Sequence, residues 1–197
     1  MHTIGIDEVG RGPIAGPVAV GAFLFLDEKA KKLFRGVKES KQLSEAKREE
    51  WFAVIQKAKK EGSVDFQVTF QSEKVIDTKG LSYAIKSALK SSLNRVVGHL
   101  KVEPSKIKVL LDGGLKAPIE YVNQKTIIKG DEKEMTIALA SICAKVMRDR
   151  KMNMLAEKHS RYGFEKHKGY GTRAHYHAIK KFGLLDTHRR SFLNPKP

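Results

Sequence analysis

Acidic residues stand where apolar runs stop at three places in this chain. Asp7-Glu8 closes a run that begins at Thr3, Asp112 closes the run 109–111, and Asp131 follows a short run ending at Lys129. Acids are poor strand residues, and a carboxylate buried without a partner is expensive. Four of them at the edge of one sheet repel each other strongly unless cations neutralise the charge. Hard divalent ions that take oxygen ligands, Mg²⁺ or Mn²⁺, meet that need and keep water for chemistry. Two such ions about 4 Å apart form a clamp for in-line attack on a phosphodiester. Taken singly, each acid reads as readily as the cap of a turn, since Asp before Gly is common in loops. The adjacent pair also carries a geometric condition. Strand alternation sends Asp7 and Glu8 to opposite faces, so a twist or bulge has to bring both to one site.

The elements that must carry these acids follow from periodicity. Residues 3–7 and 18–26 are rich in Ile, Val, Phe and Ala and read as strands, with turn chemistry from Gly10-Arg11-Gly12-Pro13 and Gly16-Pro17 between them. Ser44 caps a helix to about Lys60 with Trp51, Phe52, Ile55 and Ala58 on one face, and Gly62 stops it. Residues 64–70 alternate Val64, Phe66, Val68 and Phe70 against polar neighbours, which predicts a half-buried strand. Leu81, Ile85, Ala88, Leu89, Leu93, Val96 and Leu100 place a long helix over 81–99. Strands follow at 108–112 and 126–129, and then a helix from about 133 to 159, whose Ala138, Ala140, Ser141 and Ala144 permit close packing. The tail, 160–197, reads as a Gly- and His-rich loop with a short helix near 172–182. This order predicts an α/β fold, a mixed β-sheet flanked by helices.

The chain has 197 residues, with 38 basic against 22 acidic side chains and a formal net charge of +16. An excess of that size points to a polyanionic partner, most often nucleic acid, although a nuclease and a ribosomal protein share it. The single cysteine, Cys143, rules out an intramolecular disulfide and a thiolate metal cage, and reads as a small buried hydrophobe. No apolar run has the length of a membrane span, and Met1-His2-Thr3-Ile4 has neither the charge block nor the cleavage site of a signal peptide. A soluble, cytoplasmic protein is expected.

The segment Gly5-Ile6-Asp7-Glu8-Val9-Gly10-Arg11-Gly12-Pro13-Ile14-Ala15-Gly16-Pro17 closely resembles the opening signature of ribonuclease HII, the type 2 ribonucleases H. Further stretches agree in the same order: Glu39-Ser40-Lys41-Gln42-Leu43-Ser44, Leu111-Asp112-Gly113, Lys129-Gly130-Asp131, and the helix 140–149 from Ala140 to Asp149. His167-Lys168-Gly169-Tyr170-Gly171-Thr172 and His188-Arg189-Arg190-Ser191-Phe192 are similar to C-terminal motifs of bacterial members. The resemblance implies a ribonuclease-H-like catalytic domain over 1–155, with a small helical C-terminal segment, 156–197, packed on it. It implies cleavage of the RNA strand of RNA/DNA hybrids and nicking 5′ of a single ribonucleotide embedded in duplex DNA, leaving 3′-hydroxyl and 5′-phosphate ends. The four metal-binding catalytic acids carry over to Asp7, Glu8, Asp112 and Asp131, with two Mg²⁺ or Mn²⁺ ions as cofactors. Gly10-Arg11-Gly12 is expected to address the 2′-hydroxyl, because glycine lets the backbone approach a sugar closely. Tyr170, exposed by flanking glycines, is expected to pack on the sugar beside the cut. Lys41 and Lys129 match phosphate contacts.

Two positions depart from or extend the pattern. Glu39 stands where aspartate is usual, and Asp149 is a fifth acid that reads as salt-bridged between Arg148 and Arg150 rather than metal-binding. The tail histidines His159, His167, His175, His177 and His188 lack the spacing of a zinc hydrolase helix and are expected as phosphate contacts or solvent-exposed side chains, with His167 left open. Alternatives are another two-metal nuclease of the superfamily, such as a resolvase or type 1 ribonuclease H, and a non-catalytic RNA-binding protein. The first is opposed by Gly10-Arg11-Gly12 and Lys168-Gly169-Tyr170-Gly171-Thr172. The second leaves the strand-end acids unexplained, because acids on a phosphate-binding face weaken binding unless metals offset them. No clamp-binding pattern is evident in the tail, so a monomer is expected.

Overall fold

The structure, a computed structural model, describes residues 2–37, 40–98, 100 and 102–193. Five strands form one mixed sheet in the order β3-β2-β1-β4-β5. β1 (Thr3–Val9), β2 (Val18–Phe25) and β3 (Val64–Gln71) run antiparallel, while β4 (Lys108–Asp112) and β5 (Gln124–Ile127) add parallel to β1. The parallel crossover from β1 to β4 puts helices on the sheet, as parallel pairing requires. The predicted mixed α/β sheet is therefore present.

Both faces of the sheet are covered. Ile4 and Ile6 of β1, with Val18, Val20, Ala22 and Leu24, pack on one face against α3 (Leu81–Val97). The opposite face meets α1 (Glu45–Lys60) and the long buried α5 (Met135–Lys158) through Phe23, Phe25, Phe66 and Leu139. The small residues of α5 have the predicted effect: its backbone lies so close that a Cβ on Gly21 of β2 would collide with the Ala140 carbonyl. Ser44 caps α1 by accepting from the Lys47 amide, as expected.

Several boundaries move, each for a local reason. β1 continues to Val9 because its ladder with β2 runs unbroken from Ile4↔Leu24 to Val9↔Ala19. β2 stops at Phe25, where Leu26 turns out to exposure. β3 does not keep the simple alternation over 64–70. Its other face is covered too, so Asp65 and Thr69 are buried while Val68 and Phe70 are only partly so. Helix 81–99 is preceded by α2 (Glu73–Lys79), which the pattern did not reveal, with Gly80 at φ +84° between them; α3 ends at Val97, and residue 99 lies outside the described residues. β5 pairs 124–127 rather than 126–129, because Lys129 turns left-handed at φ +54° and starts α4 (Gly130–Lys133). Glu134 is extended, so α5 is a separate helix.

The short helix expected near 172–182 is present, and the rest of the tail is more structured than a loop. After α5 come a short 3₁₀ turn (Ser160–Tyr162), α6 (Phe164–His167), α7 (Arg173–Phe182) and α8 (Arg190–Leu193). Met152, Ala156, Tyr162, Phe164 and Ala178 form its own apolar core, which also takes in Ala15.

Candidate active site

Asp7 and Glu8 obey strand alternation; the expected bulge is not there. Asp7 lies in register with Gly21 and Glu8 with Val20, without interruption. Asp7 faces α5, where the Ser141 hydroxyl hydrogen-bonds to its carboxyl, and its Oδ1 accepts the Glu8 amide at 2.7 Å. Glu8 emerges on the other side and accepts Arg11 Nη1 at 2.9 Å on Oε1. Both still line one pocket, because the parallel ladder to β4 stops at Ile6↔Leu111 and leaves that side of β1 open at Asp7 and Glu8, where Asp112 ends β4. Alternation therefore does not keep the pair out of one pocket.

The pocket is walled by Asp7, Glu8, Val9, Gly10, Arg11, Gly12, Ser40, Lys41, Asp112, Ser141, Lys145 and Tyr170. Thus Asp7, Glu8, Asp112, Gly10, Arg11, Gly12, Lys41 and Tyr170 converge from residues more than 160 positions apart. Asp131 is buried at the start of α4 and is linked to the rim through Lys41 Nζ at 3.6 Å. Its neighbour Gly130 donates to Asp112 Oδ1 at 2.7 Å, which ties α4 to the end of β4. Lys129 stands off the pocket walls, exposed and paired with Glu132 at 3.1 Å. Tyr170 is exposed at the rim, and a side chain at Gly12 would meet its Cε1 at 3.7 Å. Glu39 lies outside the described residues.

Electrostatics single out Asp7 and Glu8. Burial, opposed by Ser141 and reinforced by Glu8 and Asp112, pushes Asp7 up to about 8. Burial also raises Glu8, against the pull of Arg11. Glu8 Oε2 is buried with no hydrogen-bond partner among the described residues. Among those residues no three of the acids stand in finished ligand geometry; each is held by its own protein donor. An all-carboxylate donor set with an orphaned buried oxygen and mutual repulsion fits a hard divalent cation.

Sequence reasoning passed over Ser141, Lys145 and Ser40. Ser141, Lys145 and Asp149 lie four apart on α5, and that polar line on one helix face was the available signal. Ser40 Oγ meets Ser141 Oγ at 2.8 Å, and Lys145 Nζ meets Asp149 Oδ1 at 2.8 Å. Asp149 also faces Arg48 Nη2 at 3.8 Å, so it is salt-bridged, although by Lys145 and Arg48 rather than by the flanking arginines.

The histidines require a correction. His175 and His188 are buried, not solvent-exposed or set toward phosphate. Their Nε2 atoms approach to 3.1 Å, and His167 stacks on His175 with ring centroids 4.3 Å apart. In a tail with few aliphatic residues these rings supply the packing surface around Phe164. His175 Nδ1 bonds to the Tyr170 carbonyl at 2.9 Å, and burial lowers His175 to about 4.

Known proteins share this sequence and fold. The ribonuclease HII family model matches residues 4–195. A ribonuclease HII of Caldicellulosiruptor bescii is 42% identical over 189 residues, 96% of this chain and 85% of the relative. Among solved structures, the ribonuclease HII in a PCNA complex from Archaeoglobus fulgidus superposes with a TM-score of 0.75 at 26% identity, covering 100% of this chain and 98% of that one. Ribonuclease H2 from Pyrococcus horikoshii gives 0.74 at 27%, covering 97% and 93%. The chain belongs to the ribonuclease HII family and is a ribonuclease H.

Proposed function

We propose that this ribonuclease H hydrolyses the RNA strand of RNA/DNA hybrids and nicks 5′ of single ribonucleotides in duplex DNA, leaving 3′-hydroxyl and 5′-phosphate ends. The observation that carries this reading is the meeting of Asp7, Glu8 and Asp112 in one pocket with Gly10, Arg11, Gly12 and Tyr170. Carboxylates alone would repel a phosphodiester, and a glycine-lined wall alone would not cut one.

Asp7, Glu8, Asp112 and Asp131 would hold two divalent ions, Mg²⁺ or Mn²⁺. When bound, such ions lower the pKa of the attacking water and stabilise charge on the leaving 3′-oxygen. The chain's own residues do the rest. Ser141 and the Glu8 amide hold the Asp7 carboxyl in place, and the Gly130 amide holds that of Asp112. Lys41, at the rim, and Lys129 supply positive charge for phosphates on either side of the cut. Backbone groups of Gly10-Arg11-Gly12 address the 2′-hydroxyl, and the Tyr170 ring packs on the adjoining sugar. The working unit is a monomer.

The test is a DNA duplex holding one ribonucleotide, incubated with Mg²⁺, with Mn²⁺ and with chelator. One nick 5′ of the ribonucleotide is expected, with either ion and not with chelator. Cutting that persists in chelator, or that ignores the ribonucleotide, overturns the reading.

A further inference from the structure

Among the described residues, Arg148 and Arg189 are the largest wholly buried side chains, both at 0% exposure. A guanidinium taken out of water is costly unless it is paired or fully hydrogen-bonded. Among the described residues neither forms an ion pair. Their bonds go to backbone carbonyls instead. Arg189 donates from Nε to Gly16 at 2.9 Å, from Nη1 to Arg11 at 3.0 Å and from Nη2 to Gly10 at 2.7 Å. Arg148 donates from Nε to Pro17 at 2.9 Å, from Nη1 to Lys168 at 3.1 Å and from Nη2 to Ala15 at 3.4 Å. All six carbonyls belong to the two segments that bring Gly10, Arg11, Gly12 and Tyr170 to the pocket.

The carbonyl bonds fix where the amides point. Every peptide bond here is trans, and in a trans peptide the C=O and N–H point in opposite directions. With the Gly10 and Arg11 carbonyls on one guanidinium, the N–H groups of Arg11 and Gly12 are turned away from it. Neither amide donates to a protein acceptor among the described residues. Gly10 has to be glycine for the same reason: it sits at φ +92°, and a Cβ there would collide with Arg148 Nε. The second segment is tied in as well. The Ile14 and Ala15 amides both donate to the Gly169 carbonyl, at 2.9 and 3.2 Å, beside the Lys168 carbonyl that Arg148 holds.

We propose that Arg189 and Arg148 are positioning residues for ribose recognition: they aim the Arg11 and Gly12 amides at the substrate sugar and fix the gap to Tyr170 without touching nucleic acid. The inference rests on the reading that Gly10-Arg11-Gly12 addresses the 2′-hydroxyl. Arginine suits the task because its rigid planar fork serves several diverging acceptors, which the single ammonium of lysine does not.

Arg189→Lys and Arg148→Lys keep the charge and remove the fork. Each is expected to lose about 100-fold in kcat/KM for nicking beside a single ribonucleotide, the scale of an ångström-sized misplacement, while the Kd for an all-DNA duplex stays within about twofold. Unchanged nicking, or equal losses in nicking and in all-DNA binding, overturns the proposal. In case a lysine variant does not fold, amide exchange on the wild-type chain decides. The Arg11 and Gly12 amides should be slowed by the ribonucleotide-containing duplex and not by the all-DNA duplex; equal slowing by both overturns the proposal. A wild-type chain that does not cut beside the ribonucleotide defeats the underlying reading. A wild-type chain that does, with variants that match it, defeats the arginine clamp alone.

Discussion

Burial, with Glu8 and Asp112 close by, makes the pH dependence of Asp7 unusual for an acid. In the folded chain it keeps its proton up to about 8, whereas unfolded it gives the proton up near 3.8. The folded state therefore binds more protons between those values, and the contribution of this group to stability falls as pH rises through the window. In chelator, Asp7→Asn should raise the stability at pH 7.5 by about 2 kcal/mol, roughly 4–8 °C in Tm for a chain of this size. The gain should fade toward pH 4, and nicking should be abolished at every pH. Melting curves of both proteins at the two pH values check this; a variant less stable than wild type at pH 7.5 contradicts it. The acids themselves were legible as residues at the ends of apolar runs. Their donors were not, because Ser141 and Gly130 arrive from α5 and α4 through space.

At the level of elements, the contact that sets the site is α5 lying directly on β1 and β2. Gly5 and Gly21 both leave no room for a Cβ under the helix, so Gly21→Ala should push the helix off the sheet and cost about 3 kcal/mol, seen as a drop in Tm of roughly 6–12 °C. Retention of the wild-type Tm would show that the sheet yields instead. The C-terminal helices make a second prediction. His175 is lowered to about 4 and His188 is also lowered, both chiefly by burial. Folded, they bind fewer protons than free imidazole, so the stability they contribute is complete above about pH 6.5 and is lost as pH falls toward 4. Ring nitrogen chemical shifts at pH 5.5 should report His175 neutral; a protonated His175 would refute the buried cluster. These histidines were misjudged from sequence because their number and basic neighbours suggested a surface, and only tertiary packing buries them.

Charge is the property of the whole molecule. With a net charge of +16, duplex affinity should come mostly from phosphate contacts that release counterions. If about six phosphates are neutralised, log K should fall against log[salt] with a slope of about −5, a loss near 10³-fold between 50 and 200 mM salt. Anisotropy titrations of an all-DNA duplex over that range measure the slope. A slope near zero would mean that the basic excess serves something other than nucleic acid. No described helix is long and apolar enough to cross a membrane.

Much of this protein was already written in local pattern. Short apolar runs placed β1, β2 and β4, alternation placed β3, and helical spacing placed α1 and α3, since a side chain's face follows from its position in a repeating backbone. The acid at each strand end was visible for the same reason. Convergence was not, because pocket walls drawn from 7, 41, 112, 141 and 170 meet only once the strands have been ordered β3-β2-β1-β4-β5 and α5 has docked on them. Whether Asp7 and Glu8 could share a site was settled by strand order: the β1–β4 ladder stops at Ile6↔Leu111, so both acids border one pocket without the bulge that alternation seemed to require. The buried arginines make the same point. In sequence they are two of 38 basic residues. What distinguishes them is a set of backbone carbonyls up to 179 positions away, and a hydrogen bond over that separation exists only in three dimensions.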